Sequence, residues 1–176
     1  MDPAPVEFVI DHSVELGVGA TSAIDWLVEL DRLSQWLLMV DRVDVLDAGK
    51  PDGTGRTFRL VFAARRGGAG SFLGENVRVG VNELVRTYRM SATFDPASTY
   101  QRTVAYRLEG TAHVTVVHCR ITTTIHGLHP RLAGRARASD EQSVDRSFER
   151  LRQLAGDGRL DRRTRWKANG SLSTPL

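Results

Sequence analysis

Between residues 43 and 126 the sequence is patterned as strand almost without interruption. A short helical stretch over residues 22–36 precedes this run, and one amphipathic helix over about residues 139–154 follows it. Strands adjacent in sequence and joined by short turns favour an antiparallel meander. A single helix after the meander offers one apolar stripe, too little to fill the concave face of a curved sheet. The expectation is an α+β domain with six to seven antiparallel strands wrapped around a long C-terminal helix, two short helices after the first strand, and a pocket between sheet and helix.

The strands read individually. Residues 7–16 alternate, with Phe8, Ile10, His12, Val14 and Leu16 on one face. Ser22 with Asp25 three residues later resembles a capping box, and Asp31 is placed to cap a second short turn ending at Trp36. A strand is expected over residues 43–47, and Pro51-Asp-Gly53-Thr-Gly55 is a turn. Residues 57–63 put Phe58, Leu60 and Phe62 together, and residues 65–70 form a polar hairpin tip. Further strands are expected over residues 72–81, 87–94, 100–108 and 112–126. Tyr100, Arg102, Val104, Tyr106 and Leu108 share a face in one of them. Thr115, Val117, Cys119, Ile121, Thr123 and Ile125 share a face in the last. Pro130 and Gly134 separate the sheet from a helix whose stripe is Val144, Phe148, Leu151 and Ala155.

Charge and cysteine usage narrow the class. The sequence pI is near 9.5, but five basic residues against two acidic ones in residues 156–176 account for the whole formal net charge of +3. Residues 1–155 are then a neutral folded domain followed by a basic tail, and no nucleic-acid partner is expected. The tail reads first as a solvated terminus, with contact to an anionic surface as the alternative. No apolar run approaches the roughly 20 residues of a membrane-spanning helix, and the N-terminus lacks the pattern of a secretory signal. Cys119, the single cysteine, has no partner for an internal disulfide, as expected of a cytoplasmic protein. Arginine supplies 22 of the 24 basic residues, a bias that points to a bacterial source.

Three features carry a family resemblance. Asp31-Arg-Leu-Ser-Gln-Trp36 resembles an Asp-x-x-x-x-Trp motif after the first helix, and Gly53-Thr-Gly55-Arg-Thr-Phe58 resembles a Gly-x-Gly-x-x-aromatic lead-in to the third strand. With the element order β–α–α–β₆–α, they resemble the START-like superfamily, which includes the Bet v 1 allergens and the polyketide cyclase/dehydrase-type (SRPBCC) proteins. The resemblance covers about residues 6–155. It implies a helix-grip fold and a small apolar or aromatic molecule held between the sheet and the last helix. Some such proteins cyclise, aromatise or dehydrate polyketide chains, others carry lipids, and others bind proteins. The chain has Leu37-Leu38-Met39 where the family often has Pro after the Trp, and no complete cyclase catalytic set maps onto it.

The candidate residues follow from face and parity. Trp36 is a pocket residue by its family position. The inward faces add Phe58 and Leu60, then Tyr88 and Met90, then Arg102, Val104 and Tyr106, then Cys119 and Ile121, with Val144 and Phe148 from the helix. His12 is either a general base for enolising a poly-β-ketone or a core histidine satisfied by one partner. Arg102 either stabilises developing negative charge or snorkels from a strand end along Tyr100. Tyr88 and Tyr106 either donate to a substrate oxygen or serve as wall residues. Cys119 has no neighbour that would make it a nucleophile. The histidines have no closed metal-ligand spacing, and the glycine-rich residues 68–74 join two strands where a nucleotide loop requires a following helix. No cofactor or metal is therefore expected. The leading reading is a binder of a small hydrophobic molecule, aromatic, polyketide-like or lipid-like. A cyclase/aromatase/dehydratase using the same cavity is the alternative, and a protein-interaction module the third. A homodimer is left open.

Overall fold

The computed structural model describes residues 4–63, 70–90 and 99–156. The hairpin tip, the Asp95-Pro96 turn with Ala92 and Phe94, and the basic tail read from the sequence lie outside the described residues, apart from Gly70 and Gly156 at their edges.

Strand β1 (Val6–Leu16) is followed by helices α1 (Ala20–Val28) and α2 (Leu30–Trp36). Strands β2 (Val40–Asp47), β3 (Thr57–Phe62), β4 (Ser71–Val79), β5 (Glu83–Met90), β6 (Thr99–Gly110) and β7 (Thr115–His126) come next. A single 3-10 turn at Pro130–Leu132 leads into α3 (Ala133–Gly156). Among the described residues these make one seven-stranded sheet in the order β1-β7-β6-β5-β4-β3-β2. Every neighbouring pair is antiparallel. The meander runs from β2 to β7, and β1 closes onto β7 rather than onto its sequence neighbour. This is the helix-grip arrangement expected from the sequence.

Alternation places the faces. In β1 the even positions from Phe8 to Leu16 turn inward and Glu7, Val9, Asp11, Ser13 and Glu15 are exposed. In β7 the odd positions from Thr115 to Thr123 are buried. The core joins these faces to Trp26 and Leu27 of α1, Leu33 and Trp36 of α2, and Phe148 and Leu151 of α3. Gly74 is where the sheet makes room for a wholly buried ring: a Cβ there would lie 2.5 Å from Cζ of Phe58. The Phe58 ring therefore tucks down onto β4, edge-on to Tyr88 with ring centroids 6.0 Å apart.

Three local expectations need correcting. Ser22 and Asp25 do not form a capping box. The helix starts two residues earlier, at Ala20, with Gly19 as N-cap and no side-chain cap. Gly19 is required by packing, since the Ala112 carbonyl oxygen sits 2.5 Å from where a Cβ would be. Glu29, not Asp31, holds the cap position of α2, and Asp31 lies in its first turn, where an acidic side chain suits the helix dipole. Helix α3 spans 24 residues and begins before residue 139. Its first turns carry alanine and arginine, good helix formers with no apolar stripe to mark them. Pro130 belongs to the preceding 3-10 turn and does not interrupt α3.

A second buried feature fixes the two short helices to the sheet. Arg86 of β5 is wholly buried. Its Nε donates to Asn76 Oδ1 at 2.6 Å, and its Nη2 donates to the carbonyls of Leu27 at 2.5 Å and Val28 at 3.2 Å. Those carbonyls end α1, where the helix carries partial negative charge. Asn76 in turn donates from Nδ2 to the Gly53 carbonyl at 3.2 Å. One guanidinium thus joins β4, β5, the β2–β3 turn and the end of α1.

Candidate functional site

A cavity of about 390 Å³ opens between the concave face and the middle of α3. Aromatic and aliphatic side chains make most of its wall: Phe62, Phe72, Met90, Val104 and Ile121 from the sheet, Val144 and Phe148 from α3, and Trp36 at the end of α2. Leu37, Leu38 and Met39 form part of its rim. This rim is held at two points. The Leu38 N–H donates to Ser147 Oγ on α3 at 3.0 Å, and the Met39 carbonyl accepts from the Ala63 N–H at 2.9 Å. Met39 adopts a left-handed conformation with φ of 68°, which costs an L-residue roughly 1–2 kcal/mol. The strained residue therefore sits at the cavity's edge, in the segment where the family often has Pro.

Polar groups are few and localised. Arg102 and Asp140 are the only charged residues on the described wall. Arg102 Nη2 donates to Asp140 Oδ2. Arg102 Nε donates to Thr123 Oγ1 at 3.3 Å, and the guanidinium lies 5.1 Å from the Tyr100 ring centroid. The Tyr100 hydroxyl donates to the same Asp140 oxygen at 3.4 Å. The Arg102 and Asp140 side chains are 17% and 24% exposed, so the pair is largely withdrawn from water. Burial works against the Arg102 cation, but the neighbouring Tyr100 and Asp140 outweigh it and raise its pKa. Burial pushes the Tyr100 phenol up as well, with Asp140 adding to that effect. Tyr106 is raised too, chiefly by burial, so both phenols stay protonated donors at neutral pH. The Trp36 indole N–H is buried and has no acceptor among the described residues.

Ten of the thirteen residues singled out from the sequence border this cavity: Trp36, Leu60, Tyr88, Met90, Arg102, Val104, Tyr106, Ile121, Val144 and Phe148. Tyr88 stands directly opposite Arg102 across β5 and β6. Phe58, Cys119 and His12 do not border it. Phe58 fills the space above Gly74 instead. Cys119 lies between Tyr106 and His12 in the cross-strand row, and burial pushes its thiol up to about 12, which leaves it unreactive. His12 reaches the edge of α3, where Nδ1 sits 3.2 Å from Asp145 Oδ1 and the ring packs 4.8 Å from that of Phe148.

Sequence reasoning missed Asp140, Ser143 and Ser147. A helical signal existed for them: with Val144 and Phe148 they recur at spacings of three and four, which places them on one face. The apolar members of that face, Val144 and Phe148, do not by themselves reveal it. Among the described residues no three His, Cys, Asp or Glu side chains converge on a metal-sized site. No helix there is long and apolar enough to cross a membrane.

Solved structures share this architecture. The chain matches Ara h 8.0201 with a TM-score of 0.62 at 12% identity, over 86% of this chain and 99% of that one. It matches the ZhuI aromatase/cyclase from Streptomyces sp. R1128 with a TM-score of 0.63 at 18% identity, over 90% and 96% of the two chains. The di-domain ARO/CYC StfQ from the steffimycin biosynthetic pathway gives 0.63 at 13% identity, over 87% of this chain and 51% of StfQ, so this chain spans about half of that protein. No protein-family model and no curated protein matches the sequence. The resemblance to the START-like superfamily therefore holds at the level of the fold: this chain has the START-like helix-grip fold.

Proposed function

We propose that the chain binds a small hydrophobic molecule, aromatic, polyketide-like or lipid-like, in the cavity between its sheet and α3. The observation that carries this reading is the cavity itself, about 390 Å³ with walls mainly of aromatic and aliphatic side chains. That size falls in the range of about 300–1,000 Å³ typical of small-molecule pockets. Apolar area removed from water supplies affinity, at roughly 25 cal/mol per Å². The Arg102–Asp140 pair supplies orientation, through hydrogen bonds to a ligand oxygen. The test is native mass spectrometry of the full chain purified from its own host, followed by denaturing extraction. A co-purified apolar molecule of one mass supports the reading. Protein that is empty and also fails to bind added apolar probes overturns it.

A second reading is cyclisation, aromatisation or dehydration of a poly-β-ketone in the same cavity. It draws support from the fold shared with ZhuI and StfQ and from Tyr88 paired across the strands with Arg102. The cavity would hold a reactive chain near its attack geometry while Arg102 and Tyr88 polarise carbonyl groups. In that reading Arg102→Ala lowers turnover by about 100-fold or more. Turnover unchanged in both Arg102→Ala and Tyr88→Phe would sink it.

A further inference from the structure

We propose that Asp140 makes the cavity selective for uncharged apolar ligands over anionic ones, by holding the Arg102 guanidinium already neutralised. This rests on the reading of the cavity as a ligand site and names the class of molecule it takes.

An apolar cavity with a lone arginine would be a trap for carboxylates, because a buried cation gains most from an opposite charge. This cavity is different. Its described wall carries one cation, Arg102, and one anion, Asp140, and the two are bonded to each other. Two further contacts hold the guanidinium, Nε on Thr123 and the face of Tyr100, which leaves Nη1 for a ligand. Tyr100 donates to the Asp140 carboxylate and so helps hold it in place. A ligand carboxylate would have to share Arg102 with Asp140 in a site largely withdrawn from water. Two carboxylates at one such site repel, and the incoming one would give up its hydration for half a partner. A ketone, phenol or ether escapes both costs, and it still finds Arg102 and Tyr88 within the wall. Asp140 comes from α3 and Arg102 from β6, so the pairing exists only in the folded cavity.

The test compares 2-acetonaphthone with 2-naphthoate, nearly isosteric probes of which only the second is anionic at pH 7. Each displaces the uncharged fluorophore N-phenyl-1-naphthylamine from the full chain. The wild-type protein should prefer 2-acetonaphthone by about tenfold or more, the effect of one poorly screened like-charge contact. Asp140→Asn and Asp140→Ser should each move that ratio toward 2-naphthoate by about tenfold or more. Adding Arg102→Met to Asp140→Asn should abolish the gain. Equal or tighter wild-type binding of 2-naphthoate overturns the inference, and so does a ratio that neither Asp140 substitution moves. The wild-type ratio needs no substitution, so equal or tighter binding of 2-naphthoate overturns the inference even if the variants do not fold. If no probe or fluorophore binds any form, the cavity reading itself fails, which is a different result from equal binding of both probes.

Discussion

Two arginines reach the concave side of the sheet from neighbouring strands, and they are held in opposite ways. Arg86 of β5 is wholly buried, and every group it bonds is formally neutral: an amide oxygen, two carbonyls at the end of α1, and the face of Phe58. Arg102 of β6 is bonded to a carboxylate at the wall of a cavity. The first arrangement faces no ligand space: carbonyls at a helix C-terminus stand in for a counter-ion, and Nη1 is buried without a partner among the described residues. The second faces the space a ligand would occupy. Burial of a charge alone does not mark a functional residue; what surrounds the charge decides.

The largest expected effect breaks or upholds the structural half of this contrast. Arg86→Ala removes the donor from Asn76 Oδ1 and the Leu27 carbonyl, both buried, and from the half-buried Val28 carbonyl, and should cost roughly 3–5 kcal/mol by urea denaturation. A loss below about 1 kcal/mol, the net worth of one ordinary hydrogen bond, would show that Arg86 is not the joint described. Arg102→Ala should cost less, about 1–2 kcal/mol, because Asp140 retains the Tyr100 hydroxyl and partial access to water. Affinity for N-phenyl-1-naphthylamine should change by less than about tenfold, since apolar area dominates. A collapse of stability on the scale of Arg86→Ala would erase the distinction between the two arginines.

The smallest effect is alkaline. The Cys119 thiol has its pKa pushed by burial from an ordinary value of 9.0 up to about 12, and Tyr100 and Tyr106 are raised in the same sense. These groups keep their protons longer folded than unfolded. Their contribution is fully present below pH 9 and is lost as pH rises from about 9 to about 12. Stability measured by urea should therefore fall across that window, and less steeply in Cys119→Ala. A slope unchanged by that substitution would show that the thiol titrates as if exposed.

The contrast also explains what was legible beforehand. The inward faces of β1, β6 and β7 could be read because apolar residues fall at every second position. Arg102 could be singled out because it interrupts an aromatic face. Arg86 could not, because its partners are the backbone at the end of α1, some 60 residues away, and an amide on β4. The displacement of Phe58 from the cavity depends on Gly74 of the next strand, a cross-strand relation that only register supplies. Asp140 looked like one more solvated charge on an amphipathic helix; its significance appears only when α3 is laid across β6.

The central proposal is that the cavity receives the ligand. Val104 lies at the middle of its wall on β6 and is buried, so Val104→Phe fills ligand space from a rigid strand. Its measurement is the affinity for N-phenyl-1-naphthylamine beside the urea stability of the same preparation. The account predicts a loss of affinity of about tenfold or more, while overpacking costs no more than about 1–3 kcal/mol in stability. Unchanged affinity in a folded Val104→Phe protein would contradict it.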